Sequence, residues 1–153
     1  MSSPDPIEWS IPVAFHFRVK VGGSVISFCE VKGIECSIEI EPVVSGGDNS
    51  HCYYVPKSRT FNDLVLKRGV VRNDDSFFKW CKGILASEIT QESITPQDVE
   101  VTLLGEDGNP ILCWLFTSAY PIKWTLGDFV ADKSEIALET VTLKYYSFDV
   151  VRV

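Results

Sequence analysis

The sequence predicts one mainly β domain, a β-sandwich or small β-barrel with a single α-helix at its side. Short segments that alternate apolar and polar residues recur along the chain, separated by Gly, Pro, Asn and Asp. Only one segment has the spacing of an amphipathic helix. The chain has 153 residues, of which 45% are hydrophobic and 23% charged, which suits one domain with a substantial core.

The clearest strand lies near the start of the chain. Apolar residues alternate with other residues over positions 13–21, which places one side of the strand in a core. Gly22 and Gly23 follow and can adopt the positive φ angles of a tight turn, so residues 24–31 are predicted to return as the partner strand. Residues 1–12 contain three prolines and no periodicity. They are predicted to be an extended N-terminal arm on a domain that spans residues 13–153.

The next strand is predicted to have two chemically different faces. The residues that alternate are Ile34, Cys36, Ile38 and Ile40 on an apolar face, and Glu35, Ser37, Glu39 and Glu41 on a largely acidic face. Pro42 is expected to end this strand because it has no backbone N–H.

Residues 43–60 are predicted to form an 18-residue loop, since they contain Gly46-Gly47, Asp48-Asn49 and Pro56. This is too long for a simple turn inside a compact domain. Such a loop is usually functional or contacts something outside its own domain.

A further strand is predicted over residues 61–68, followed by the helix. Asn73 or Asp74 can cap this helix. Its apolar stripe consists of Phe77, Phe78, Cys81, Ile84 and Leu85. Lys79 and Lys82 lie off the stripe. Because Gly83 costs about 1 kcal/mol relative to Ala, packing on a sheet must stabilise the helix.

The rest of the chain is predicted to be β. Residues 99–104 alternate, residues 106–109 make a turn, and residues 110–119 are apolar on both faces, as expected of a buried strand. A β-rich run covers residues 134–151. Seven or so strands result, with the helix between the fourth and the fifth.

The charge and the cysteines exclude several classes of protein. The net charge is −7, from 21 acidic and 14 basic residues, which argues against general binding to nucleic acid or anionic membranes. No stretch has the roughly 18 apolar residues of a spanning helix. The five cysteines include no C-x-x-C pair, so we expect reduced thiols and synthesis in the cytoplasm.

No catalytic, metal-binding or cofactor-binding residue is predicted. The three glutamates share one strand face rather than a cleft that would raise a carboxyl pKa. His51 and Cys52 are adjacent, so in a strand they point to opposite faces, and no second ligand pair has zinc spacing. His16 and His51 are predicted to be surface residues without a partner that would orient a catalytic base. Gly46-Gly47 lacks the Lys-Ser/Thr of a phosphate loop.

Two residue groups instead suggest packing or contacts between proteins. Lys67, Arg68 and Arg72 are too few for phosphate binding in an acidic chain, and we expect them to form salt bridges with another protein. Four tryptophans, Trp9, Trp80, Trp114 and Trp124, could form a sugar-binding platform. Trp80 and Trp114 lie in core-like patterns, however, so a carbohydrate-binding β-sandwich is retained only as an alternative of another class.

Several segments, taken in order, also carry a family resemblance. They span about residues 11–150 and read FHFRVKV, FCEVKGIECSIEIEPVVSGGDN, VPKSRTF, LVLKRGVV, FFKWCKGIL, SAYPIKW and ALETVTLKYYSF. Their order and spacing resemble those of tail tube proteins from contractile phage tails and contractile injection systems. The chain is similar in the same way to haemolysin-coregulated protein of type six secretion.

This resemblance implies a structural protein that is neither an enzyme nor a binder of cofactors or specific nucleic acid sequences. In that family, six copies form a ring, and the rings stack into a rigid hollow tube inside a sheath. The implied partners are other copies of the chain, the sheath protein, the baseplate hub and spike, the tape-measure and cap proteins, and DNA or protein cargo in the lumen. The implied location is a phage tail or tail-like injection particle, with no membrane binding by the subunit itself.

The residues that match the family's assembly regions form our candidate interface. They are Gly46, Gly47, Asp48, Asn49, Tyr53, Tyr54, Pro56, Arg59, Lys67, Arg68, Gly69, Tyr120, Pro121 and Trp124. Glu35, Glu39 and Glu41 are candidates for the lumen, where negative charge would repel polyanions. A paralogous ring that initiates the tube at the baseplate hub is the close alternative to the repeating subunit.

Overall fold

The computed structural model describes residues 16–44, 46–47, 52–70, 76–86, 94–127 and 137–152. Within these ranges there are ten strands and one helix. They are β1 His16–Val21, β2 Ser24–Phe28, β3 Glu30–Lys32, β4 Cys36–Val44, β5 Cys52–Phe61, β6 Leu64–Gly69, α1 Ser76–Leu85, β7 Gln97–Leu104, β8 Pro110–Leu126, β9 Leu138–Lys144 and β10 Ser147–Val151. The N-terminal arm predicted over residues 1–12 lies outside the described residues.

Eight of these strands form two packed layers, and every pairing is antiparallel. The first layer has the order β2-β1-β7-β8-β10, and the second has the order β8-β9-β6-β3. The hydrogen-bonded path ends at β2 and β3 and does not close into a barrel. The predicted β-sandwich with a flanking helix is therefore confirmed, whereas the barrel alternative is not observed.

Strand β8 belongs to both layers. Its first part pairs with β7 and β10, and its last part pairs with β9. Between the two parts, Ser118 has a φ of 53°, a left-handed conformation that few residues other than glycine adopt. The Ser118 N–H donates a 3.0 Å hydrogen bond to Oδ1 of Asp98, which satisfies the backbone at the bend. The strand thus turns from one sheet into the other without a break.

The core lies between the layers, and the helix packs beside it. Buried residues from both sheets meet there: Val19, Val99, Val101 and Phe116 from the first layer, and Leu64, Leu66, Val141 and Leu143 from the second. Helix α1 contributes Phe77 and Cys81, as its apolar stripe predicts. The rings of Phe77 and Phe28 meet edge to face, with centroids 5.3 Å apart. Trp80 and Trp114 pack against this core, as expected.

Strands β4 and β5 form a separate two-stranded ribbon that pairs with neither layer. Every residue of β4 is exposed, and so is every residue of β5 except Phe61 at its end. Nine or ten strand residues extend about 30 Å, so the ribbon is a long arm attached to the sandwich at one end.

Several predictions about the elements are corrected. The 18-residue loop is wrong, because β4 continues through Pro42 to Val44 and β5 begins at Cys52. Proline is tolerated there because a two-stranded ribbon consists of edge strands only. The strand predicted over residues 61–68 begins at Leu64, and the strand predicted over residues 24–31 divides at Cys29.

The strand count and one burial prediction are also corrected. The described ranges contain ten strands where seven or so were predicted, and the helix follows the sixth of them. The first part of β8 is not buried on both faces, since Ile111 and Leu112 are exposed. The turn over residues 106–109 is confirmed by its hydrogen bonds. The proposed helix caps Asn73 and Asp74 lie outside the described residues.

Candidate assembly surfaces

One face of the ribbon is predominantly apolar and exposed. Residues that lie opposite each other in an antiparallel pair share a face, and the register pairs Ile38 with Arg59, Ile40 with Pro56, and Pro42 with Tyr54. The face also carries Cys36, Val44 and Cys52. Its area is about 300 Å² for a ribbon two strands wide, which is as large as the largest apolar patch on many monomers. We call it the apolar ribbon face.

The opposite face of the ribbon is polar near the sandwich. Glu39 accepts a 3.1 Å hydrogen bond from Ser58 Oγ, and its other oxygen lies 3.8 Å from Nζ of Lys57. Glu41 lies on the same face, opposite Val55. The register shifts between Glu39 and Ile40, where Lys57 forms the extra position of a bulge. The apolar and polar faces predicted for this strand are therefore observed, but both faces are exposed.

The root of the ribbon is a close crossing of two backbone segments. Gly33 has a φ of 88°, and a Cβ built on it would lie 1.9 Å from the carbonyl oxygen of Asp63. Beside this crossing, Asn62 Nδ2 donates a 2.6 Å hydrogen bond to Oε2 of Glu35. Glu35 thus lies at the root, just before β4, whereas Glu39 and Glu41 lie on the ribbon itself.

We expect Gly33→Ala to destabilise the subunit more than Gly23→Ala does. Both glycines have positive φ, but a Cβ on Gly23 would meet nothing within 4 Å. Gly23→Ala should cost about 1 kcal/mol from backbone strain alone, and Gly33→Ala at least about 2 kcal/mol more because backbone atoms must move. Urea denaturation of the two variants measures the difference. Equal losses would contradict the close crossing.

A buried polar network lies where β6, β8 and β9 meet α1. Arg68 is only 3% exposed, and its Nε lies 2.9 Å from Oε2 of Glu139, which is equally buried. The other Glu139 oxygen accepts a 2.7 Å hydrogen bond from Nε1 of Trp124. The Arg68 guanidinium also lies over the rings of Phe28 and Phe77, 5.4 and 5.3 Å from their centroids. This network holds the helix and three strands together.

An apolar groove of about 240 Å³ lies between α1 and β8. Its lining includes Trp124 and Phe78, whose ring centroids are 5.9 Å apart, and Leu85. Trp124 therefore has its ring in this groove and its indole nitrogen in the buried network.

Lys67 lies on β6 and is half-buried. Its Nζ lies 3.5 Å from Glu30, which also forms a 3.0 Å ion pair with Lys32. Hydrogen bonding from Lys32, with the charge of Lys67, lowers the pKa of the Glu30 carboxyl. The pair is internal to the subunit and partly exposed to solvent, so its contribution to stability is small.

The candidate interface residues therefore fall into distinct places. The ribbon and its tip carry Gly46, Gly47, Tyr53, Tyr54, Pro56 and Arg59, all exposed. Lys67, Gly69 and Tyr120 are half-buried on the sandwich, and Trp124 is partly exposed at the groove. Asp48, Asn49 and Arg72 lie outside the described residues.

Two candidates require correction. Arg68 and Pro121 are buried inside the subunit, so their side chains are not available for contacts with another protein. The sequence does contain a signal for the burial of Arg68. Leu64 and Leu66 lie four and two residues before it in the strand, so their side chains point to the same face, and that face is in the core. Sequence reasoning also missed Gly33 and Glu139.

Among the residues that the structure describes, no helix is long and apolar enough to cross a bilayer. The same part of the chain contains no group of three or more His, Cys, Asp or Glu side chains placed to hold a metal ion.

Comparison with known proteins identifies the family. The sequence model for the T4-like virus tail tube protein gp19 matches residues 13–149. This chain belongs to the gp19 tail tube family. Among curated protein sequences there is no match.

Solved structures agree with the gp19 family assignment. A chain of the sheath–tube complex of PVC, an extracellular contractile injection system in its extended state, is 25% identical with a TM-score of 0.78, and the match covers 96% of this chain and 95% of that one. A chain of the tube-terminating cap of the anti-feeding prophage is 22% identical with a TM-score of 0.79, covering 99% and 97%.

A more distant similarity of fold extends to an Hcp protein. Hcp1 from Flavobacterium johnsoniae is 14% identical with a TM-score of 0.52, and the match covers 88% of this chain and 94% of that one. The cap chain and Hcp1 show a shared fold only. This gp19 family member is therefore a tail tube protein of the kind found in phage tails and contractile injection systems.

Proposed function

We propose that this chain is the repeating subunit of an inner tube, in which six copies form a ring and the rings stack inside a contractile sheath. The observation that carries this proposal is the apolar ribbon face. A monomer would leave Ile38, Ile40 and Tyr54 in water on an arm about 30 Å long, whereas a neighbouring copy would cover them.

The geometry suits an assembly that continues in one direction. A contact between unlike surfaces of two copies closes into a ring or continues as a filament, depending on the rotation between copies. In such a contact the ribbon, which projects from one place on the sandwich, meets a different surface on its neighbour. The outer edges of β2 and β3, where the hydrogen-bonded path ends, are additional sites for pairing between copies.

The two ribbon faces suggest different environments in the tube. The apolar ribbon face would pack against a neighbour, which leaves the face of Glu39 and Glu41 to line the lumen, with Glu35 at the root. With seven net negative charges in every subunit, such a lumen repels polyanions and keeps cargo from adhering. The proposed cargo is DNA or protein, and the proposed partners are the sheath, baseplate hub and spike, tape-measure and cap proteins. The proposed role is structural, with no catalytic step.

Microscopy of the purified protein tests this proposal. We expect negative-stain images to show six-fold rings and tubes, and a cryo-EM reconstruction to place Glu39 and Glu41 in the lumen. Particles that stop at a single ring would favour a tube initiator, and a strict monomer with affinity for sugar would favour the carbohydrate-binding alternative. Glutamates packed on the sheath-facing wall would refute the lumen assignment.

A further inference from the structure

The ribbon is joined to the sandwich by two short single-chain crossings, and their contacts determine how it can move. One crossing is residues 33–35, between β3 and β4, and the other is residues 62–63, between β5 and β6. Two short connecting segments would by themselves allow the ribbon to change its angle to the sandwich. The structure instead ties both crossings to each other and to the sandwich.

The crossings are first tied to each other. The Asn62 N–H donates a 3.2 Å hydrogen bond to the carbonyl oxygen of Glu35, and the Asn62 side chain binds the Glu35 carboxylate. The contact of Gly33 with Asp63 leaves no room for a Cβ. These contacts make the root a single unit.

Tyr145 ties this unit to the sandwich. Its side chain is buried, and its hydroxyl donates a 2.5 Å hydrogen bond to the backbone carbonyl of Asn62. Its ring packs edge to face on Phe116 in the core, with centroids 4.8 Å apart, and on Phe61, the last residue of β5, at 6.0 Å. Phe148 closes this aromatic cluster, 5.4 Å from Phe61. One residue thus contacts the core and the ribbon together.

We propose that Tyr145 is the positioning residue of the ribbon, and that it fixes the angle between ribbon and sandwich already in the unassembled subunit. This inference rests on the proposed function, since a preset angle serves assembly. An arm that is held in its bound orientation loses less conformational entropy when a neighbour binds, so assembly begins at a lower concentration.

The hydrogen bond to Asn62 is available over the whole physiological pH range. Burial, together with the negative charge of Asp63, raises the pKa of Tyr145 to about 12. The hydroxyl therefore keeps its proton and remains a donor. Lys144 adds a 3.1 Å ion pair to Asp63 on the outside of the same crossing.

The test is a distance measurement in the dilute, unassembled protein. Cys52 on the ribbon and a cysteine introduced by V25C on β2 are both exposed and accept nitroxide labels, once C29S and C36S remove the other two exposed thiols. Pulsed electron paramagnetic resonance then gives the distribution of distances between ribbon and sandwich. We expect one narrow peak for the otherwise unchanged protein and at least a twofold broader distribution for Y145F.

Tyr146 supplies the matched control. Y146F removes the same hydroxyl from the neighbouring residue, whose side chain is 79% exposed, and should leave the peak unchanged. Without labels, Y145F should need about tenfold more protein than Y146F before tubes scatter light, a difference of 1.4 kcal/mol. If Y145F does not fold, N62A, which removes an exposed amide at the root, is expected to broaden the peak instead.

Two results would overturn the positioning role: a broad distribution in the unchanged subunit, or equal peaks for Y145F and Y146F. Because the distances are measured before assembly, they remain informative if the protein forms no tubes. A narrow peak that Y145F broadens would then support the positioning role of Tyr145, even though the proposed tube function fails. Normal tubes from a subunit whose ribbon gives a broad distance distribution would support the tube function and contradict the positioning role of Tyr145.

Discussion

Deletion of residues 46–55 is expected to abolish tube formation and leave a folded subunit. The deletion removes the tip and the outer part of β5, which pairs only with the outer part of β4. None of the described residues in this segment belongs to the core, so the sandwich loses little. Negative-stain microscopy should show no tubes at concentrations where the unaltered protein is fully assembled, and circular dichroism should show a cooperative melt.

Point variants distinguish the loss of contacts made by the apolar ribbon face from the loss of the ribbon itself. Ile40→Glu adds a charge to the apolar ribbon face, whereas Ser37→Glu adds the same charge to the polar face. We expect the first to prevent assembly, because a buried charge without a partner is costly, and the second to permit it. Normal tubes from the deletion or from Ile40→Glu would contradict the assignment of the ribbon to assembly.

Removal of Glu139 is expected to destabilise the subunit strongly. Glu139→Ala deprives the buried Arg68 of the carboxylate 2.9 Å away and removes the acceptor of the Trp124 indole N–H. Removing one partner of a buried ion pair costs about 3 kcal/mol. The melting temperature should fall by about 10 °C, as calorimetry would show.

Glu30→Ala is the control for this prediction. It removes a carboxylate from a partly exposed group of ion pairs that includes Lys67, the residue next to Arg68 on β6. We expect its melting temperature to stay within experimental error of the unaltered protein. Similar melting temperatures for Glu139→Ala and Glu30→Ala would show that the buried network does not hold the helix to the sheets.

The elements that bury one face were predictable from the sequence. In β1 the alternation around Val19 and Val21 matches the inward side of the first layer, and Gly22 and Gly23 adopt the positive φ angles expected of them. The helix was found because its stripe covers a core, with Phe77 and Cys81 inward. Burial imposes a period on such residues, and the period is visible in a single sequence.

The ribbon was predicted only in part, for a physical reason. Its first strand alternates clearly, but β5 carries Pro56 and a bulge, and both interrupt the pattern. Nothing within the subunit requires its residues to face a core. When apolar residues serve contacts between molecules, a single chain does not reveal which way they point.

The buried network does not follow from the charges of its residues, whereas strand parity does separate its arginine from the neighbouring lysine. Lys67 and Arg68 are adjacent, and adjacent strand residues point to opposite faces. Their placement follows this rule, with Lys67 outward beside Glu30 and Arg68 inward beside Glu139. The partner of Arg68 is 71 residues away, so no local pattern could have identified it.

The bend of β8 at Ser118 has a mechanical consequence. Because one unbroken 17-residue strand belongs to both layers, a shearing force applied to one layer passes to the other through covalent bonds as well as through side-chain contacts. The layers can separate at β8 only if its pairing with β9, or its pairings with both β7 and β10, are broken. We expect a subunit built in this way to keep its two sheets together under a sudden axial load, such as the proposed tube function would impose.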